Sequence, residues 1–382
     1  MTGTTTVAQQ VRILGQASVR CLDILSETAV RDGSTVGWGT WELDSAADPV
    51  MLHAGRPSLY DGNAGIAWAM RLLGRDPGPV ATEAGMPGLL GGASGMALTG
   101  GTPFGAGTES RGMDVGDGLA GDLLALVRMG STDSTLAGSL VEAIAAGAIL
   151  DGDLACWADP RSPGDQPLCG LAHGASGVIL ALAEAASAFP EHAQRAAPLM
   201  SAALRWESAW RDPVRGWPDL RGGTSFPVLW CHGAGGIGAV RLRLLQLVGA
   251  GLRLDYVTDA IAAEASAAVL ACGRELTRSV ALARSGGLGS VPHGLTLCHG
   301  LGGLLDVLVL AAEVWDEPAH LSAARRIMVD LLATAPEDPM DWPSGLKAPG
   351  SLGLFVGVAG TALLLARLAD PGRIGSLSLL AP

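Results

Sequence analysis

Seven segments of the 382-residue chain open on Gly-x-x-Gly and run on in Ala, Leu, Ile and Val; they start at Gly62, Gly92, Gly118, Gly174, Gly233, Gly300 and Gly357. Their apolar positions leave almost no polar side, which is the mark of a helix buried all round. Between them lie stretches charged on one side only, such as residues 190–210, 259–283 and 317–335, and these read as helices with one face in water. The last four Gly-x-x-Gly units are 59, 67 and 57 residues apart, room for two helices and their loops. Sustained period-2 alternation is absent, which argues against strands. The pattern predicts an all-α fold, a double α/α-toroid of about seven inner helices and up to seven outer ones, as one domain over residues 1–382.

Two local features modify this picture. The spacing between Gly65, Gly92 and Gly118 leaves little room for outer helices, so the second repeat is expected to be degenerate, and residues 98–112 read as an irregular loop. Glycine is also abundant, at 55 residues, and each costs roughly 1 kcal/mol relative to alanine in a helix interior. Glycines at i and i+3 would leave one side of the first inner turn bare, so that backbones approach closely and first-turn N–H groups face the central cavity.

Composition narrows the function. A net charge of −12, with Lys347 the only lysine, argues against nucleic acid or an anionic membrane surface as partner. No basic segment precedes an apolar one at the N-terminus, and no apolar run reaches the roughly 20 residues of a membrane span, so the expected location is cytoplasmic. Six cysteines in such a chain read as free thiols or metal ligands.

In a toroid the N-termini of the inner helices gather at one end, so side chains just before each Gly-x-x-Gly converge although distant in sequence. Cys231-His232 precede Gly233, and Cys298-His299 precede Gly300. Zinc favours such donors, and a catalytic site keeps three protein ligands and an open position; Cys231, Cys298 and His299 supply that set, while His232 as a fourth ligand would close it. His173 directly precedes Gly174. Asp114 lies four residues before Gly118 and Asp117 adjoins it; Asp117 is the better placed N-cap, and the residues alone do not choose between the two for a functional role. Asp61 reads as a helix cap, Cys169 as core, and Cys21, Cys156 and Cys272 as structural.

At these residues the chain resembles the LanC-like family, the lanthionine synthetase cyclases. Trp230-Cys231-His232-Gly233 and Cys298-His299-Gly300 look like its two zinc motifs, Ala172-His173-Gly174 like its active-site histidine motif, and Asp114-Val115 with Gly118-Leu-Ala-Gly121 like its aspartate motif. The likeness spans about residues 50–370, and its Trp-Cys-His-Gly-Ala form is closer to the cyclase domains of multidomain synthetases than to stand-alone cyclases. It implies a double α-toroid in which Zn2+ is held by Cys231, Cys298 and His299, with His173 as acid/base residue and Asp114 as its partner. Where the family often has an arginine, four residues before the first zinc cysteine, this chain has Pro227, and Arg221 is a substitute to consider.

The implied reaction is addition of a peptide cysteine thiol to dehydroalanine or dehydrobutyrine, giving a thioether ring. The implied partners are a dehydrated precursor peptide, leader plus core, and a separate dehydratase or kinase/lyase enzyme, since nothing in the chain resembles either, unless this chain is one domain of a larger enzyme. Three alternatives are a zinc-containing pseudo-cyclase that scaffolds the peptide, a relative that adds glutathione, and a toroidal glycosidase. The last needs two carboxylates across the cavity, and two cysteines would be gratuitous there.

Overall fold

A computed structural model describes residues 5–43, 50–80, 88–98, 112–159, 164, 166–222, 225–345 and 350–381. The irregular loop expected over residues 98–112 falls almost wholly outside the described residues. The chain divides into two compact units, one of Met1–Glu83 with Cys272–Pro382 and one of Ala84–Ala271.

Every Gly-x-x-Gly opens a helix. In chain order the helices are α1 (Val7–Glu27), α2 (Asn63–Leu72), α3 (Ala93–Leu98), α4 (Leu119–Arg128), α5 (Ser134–Ala146), α6 (Ala175–Ala188), α7 (Ala193–Ala209), α8 (Ala234–Gly249), α9 (Thr258–Gly286), α10 (Leu301–Trp315), α11 (Pro318–Leu332) and α12 (Val358–Ala369). The seven that follow Gly-x-x-Gly, α2, α3, α4, α6, α8, α10 and α12, are apolar, and in α6 every residue from Ala175 to Ala186 is buried. The other five are amphipathic; α11, for example, buries only Ala324, Met328 and Leu331. The described residues contain five outer helices, with none between α2 and α3, in keeping with a degenerate second repeat; α3 runs to Leu98, where the described stretch ends.

The six short strands were not foreseen. They form three antiparallel hairpins, β1–β2 (Val30–Asp32, Thr35–Gly37), β3–β4 (Gly39–Leu43, Val50–Ala54) and β5–β6 (Ile149–Asp151, Leu154–Cys156). Four of the strands are three residues long, too short to show alternation, and β3 and β4 have only five each. The readable signals were Gly33-Ser34 and Gly152-Asp153, because a two-residue hairpin turn that begins on glycine takes φ > 0 there, and the two glycines adopt +58° and +60°.

The lead-in loops explain the glycines. The N-cap of each long apolar helix is the first glycine, which has no side chain to cap with, so the loop's own carbonyls take over. The first helical N–H donates to the carbonyl six residues before the first glycine: Ala175 to Leu168 at 2.9 Å, Ala234 to Pro227 at 3.2 Å and Val358 to Ser351 at 3.0 Å. In α2, α4, α6 and α8 the second glycine's N–H donates to the carbonyl four residues before the first, as in Gly177 to Gly170 at 3.3 Å and Gly236 to Leu229 at 3.0 Å, whereas in α10 and α12 the residue before it donates, Gly302 to Thr296 at 3.1 Å and Ala359 to Leu352 at 3.2 Å. These amides therefore do not face a cavity, contrary to the expectation above. Nor does Asp61 cap α2: Gly62 holds the N-cap position, and the Asp61 carboxylate accepts the Ser58 hydroxyl.

Successive lead-in loops are joined by their main chains at the residue two before each first glycine. In the Ala84–Ala271 unit Leu90 N–H donates to Gly116, Gly116 to Ala172 and Ala172 to Cys231, at 2.9, 3.0 and 3.2 Å. In the other unit Cys298 donates to Phe355 at 2.9 Å and Phe355 to Tyr60 at 2.8 Å. This approach is possible because a Cβ on the second glycine has no space. At Gly177 it would lie 2.1 Å from the Leu171 carbonyl oxygen and 2.8 Å from Val115 Cγ2 of the neighbouring repeat. Overpacking of this kind costs about 1–3 kcal/mol, against about 1 kcal/mol of helix propensity gained. Gly177→Ala is therefore expected to lower the melting temperature, whereas the same change at half-buried Gly273 in α9, where a Cβ meets nothing, is expected to raise it.

Candidate metal centre and adjoining imidazole

Three of the sequence-selected donors form a group. Among the described residues, the ligand atoms of Cys231, Cys298 and His299 all lie within 4.8 Å of one another, and such a group could hold a metal ion. Both cysteines are buried, at 3% exposure, and His299 is half-buried. Cys298 Sγ is 3.8 Å from His299 Nε2, while the Cys298 N–H is fixed on the Phe355 carbonyl. Two thiols and an imidazole suit zinc, since soft sulfur donors select it over magnesium or calcium. His232 is not in the group. Its ring is buried, and desolvation holds its pKa below the ordinary histidine value.

The second cluster lies wholly within the Ala84–Ala271 unit. Asp114 Oδ2 stands 2.9 Å from His173 Nδ1, and Asp114 Oδ1 accepts the Asp117 N–H at 2.8 Å. An ionised Asp114 fixes the tautomer, because a carboxylate only accepts and Nδ1 must then carry the proton. The His173 ring lies against Gly116, where a Cβ would come 2.6 Å from Cε1, so only glycine leaves the imidazole this seat. The His173 and His232 rings stack with centroids 6.2 Å apart. A small cavity beside His173 is lined by Gly112, Met113, Asp114, Trp157, Asp159 and His173 itself.

The structure thus brings Asp114 to His173 and groups Cys231, Cys298 and His299. Arg221 is held by Asp219, with Nη2 to Oδ2 at 2.8 Å and Nε to Oδ1 at 3.0 Å. Pro227 has a backbone role, its carbonyl closing the first turn of α8. Cys21, Cys156, Cys169 and Cys272 are buried free thiols, and burial raises the pKa of each. Sequence reasoning missed His293, whose ring tilts against His299 at a centroid distance of 5.4 Å. Its position in His293-Gly-Leu-Thr-Leu-Cys-His299, on the same lead-in loop, was the available signal.

No helix among the described residues is long and apolar enough to cross a membrane. Comparison with solved structures finds nisin cyclase, 16% identical, with a TM-score of 0.53 over 86% of this chain and 92% of that one. It also finds cellobiose 2-epimerase from Spirochaeta thermophila DSM 6192, 13% identical, with a TM-score of 0.47 over 96% and 99% of the two chains. No curated protein matches. The likeness to nisin cyclase shows the fold, the α/α toroid that the repeat predicts. Residues 52–380 match the family described as lanthionine synthetase C-like protein, and the chain belongs to that family.

Proposed function

We propose that the protein is a zinc-dependent lanthipeptide cyclase, adding peptide cysteine thiols to dehydroalanine or dehydrobutyrine. The observation that carries this reading is the donor group of Cys231, Cys298 and His299, in a member of a family of cyclase-like proteins. Those three residues hold the metal, and the donor chemistry fits zinc. A zinc ion there supplies the Lewis acidity that makes a substrate thiol a thiolate near neutral pH.

The reaction is a net addition. The sulfur forms a bond to Cβ of the dehydro residue, the Cα–Cβ π bond breaks, its electron pair passes into the enolate, and a proton returns to Cα. No oxidant and no leaving group are needed. His173 delivers that proton, and Asp114 holds its ring so that Nδ1 carries the fixed proton and Nε2 the exchanged one. His232, outside the donor group, leaves three protein ligands, which suits a site that admits a substrate atom. The reading extends to partners: a dehydrated precursor peptide, and a dehydrating activity, on a separate enzyme or on another domain, that installs the dehydro residues.

The test is to incubate the full chain, loaded with zinc, with a synthetic peptide carrying one dehydroalanine and one cysteine. Loss of the alkylatable thiol at unchanged peptide mass marks ring formation. His173→Ala is expected to slow it by roughly 10²–10⁴-fold, the usual worth of a positioned proton donor. Peptide binding without ring formation by the wild-type chain would favour a scaffold, and a mass gain with glutathione would favour the thiol-adding alternative.

A further inference from the structure

A buried ion cluster lies beneath the lead-in loop of His173, within the same unit. Arg241 of α8 is fully buried; its Nη2 is 2.8 Å from Glu207 Oε2 of α7 and its Nε 2.6 Å from Glu264 Oε2 of α9. Burial alone would lower the arginine's pKa, but the two carboxylates outweigh it and hold the guanidinium charged. Glu207 is also fully buried, and its two oxygens divide their work. Oε2 takes Arg241 and the Ser176 hydroxyl, at 2.8 and 2.5 Å, and Oε1 accepts the Gly170 N–H at 2.9 Å.

Gly170 is the pivot of the loop. Its φ of +108° is open to glycine, and a Cβ there would press within 3.1 Å of His232 Cα. Three residues on stands His173, with Ala172 between them bonded to Cys231 on one side and Gly116 on the other. A main-chain N–H bonded to an ionised, buried carboxylate is among the stronger hydrogen bonds available.

We propose that Glu207 is a positioning residue for His173, acting through the Gly170 N–H to hold the imidazole against Asp114. This rests on the reading of His173 as proton donor. A carboxylate is needed because three donors converge on it: Gly170 N–H, Ser176 O–H and Arg241. A glutamine offers one oxygen. The charged guanidinium claims it, and the amide NH2 is left facing the Gly170 N–H, donor to donor.

The experiment uses the full, zinc-loaded chain labelled with ¹⁵N-histidine, the His173 ring being assigned by its loss in His173→Gln. Glu207→Gln is expected to shift the His173 ring resonances and lower kcat about ten- to a hundredfold per folded molecule, with KM nearly unchanged and zinc retained. Glu207→Asp keeps the charge against Arg241 but falls one methylene short of Gly170; it is expected to move the resonances and kcat the same way with a smaller loss of melting temperature. Ser176→Ala frees an acceptor on the same carboxylate without touching the Gly170 bond, and should leave both readouts in place. Unmoved His173 resonances in the Glu207 variants, or an equal shift in Ser176→Ala, overturn the proposal. A wild-type chain that forms no thioether would instead remove the functional reading, and the resonances would still decide whether Glu207 positions His173.

Discussion

Cys298→Ala is expected to abolish both metal binding and ring formation. Purified wild-type chain should carry about one zinc by elemental analysis, and the variant close to none, because two donors cannot hold a site that needs three. Cys231→Ala should behave identically, as both thiols belong to one donor group. The catalytic cost has a lower bound from acid–base chemistry. A free thiol of pKa about 8.5 is only about 3% thiolate at pH 7, so loss of zinc removes roughly thirtyfold in nucleophile population before any loss of orientation is counted. Cys272→Ala is the control. That thiol is fully buried in α9, its pKa pushed up to about 12 by desolvation, and its removal should cost stability without changing zinc content. A wild-type chain without metal would sink the zinc reading.

The fold was legible because the repeat is written in side-chain chemistry that works locally. An apolar helix must be buried wherever it occurs, so the seven Gly-x-x-Gly segments announced themselves, and residues 193–209, 258–286 and 318–332 became helices close to where charge periodicity placed them. The pairing of Asp114 with His173 was less legible: position alone favoured neither Asp114 nor Asp117, and the choice came from resemblance. The structure supplies the missing geometry, with Asp117 offering its N–H to Asp114 while Asp114 faces the imidazole. What the pattern concealed were the charges inside the apolar helices. Glu184, Arg241, Asp306 and Arg367 lie within segments that read as apolar all round, yet each is buried and paired. Their partners come from helices 23 to 61 residues away in sequence, as with Glu264 and Asp306, so no local period could reveal them.

Arg241→Met is accordingly expected to be among the most destabilising changes outside the candidate site. The side chain is fully buried, as is Glu207, and methionine would leave both Glu207 and Glu264 without their cation. Removing one partner of a buried pair costs about 3–5 kcal/mol, because the remaining charge has lost its water and its counter-ion together. The exposed pair of Arg278 with Glu275 provides the contrast: its arginine is 64% exposed, and its loss should cost about 0–1 kcal/mol. Urea unfolding of the two variants checks the difference. The pH dependence gives a second signature. Burial raises the Glu264 pKa, but Arg241 and the hydroxyls of Ser208 and Tyr256 more than reverse this, so the folded value lies below the ordinary 4.5. A depressed carboxylate contributes stability above its unfolded pKa and loses it as pH falls through the folded one. The gap between wild type and Arg241→Met should therefore be full at pH 7 and narrow once pH drops below about 4.5. A gap that persisted unchanged in acid would mean that Arg241 stabilises by filling space rather than by charge.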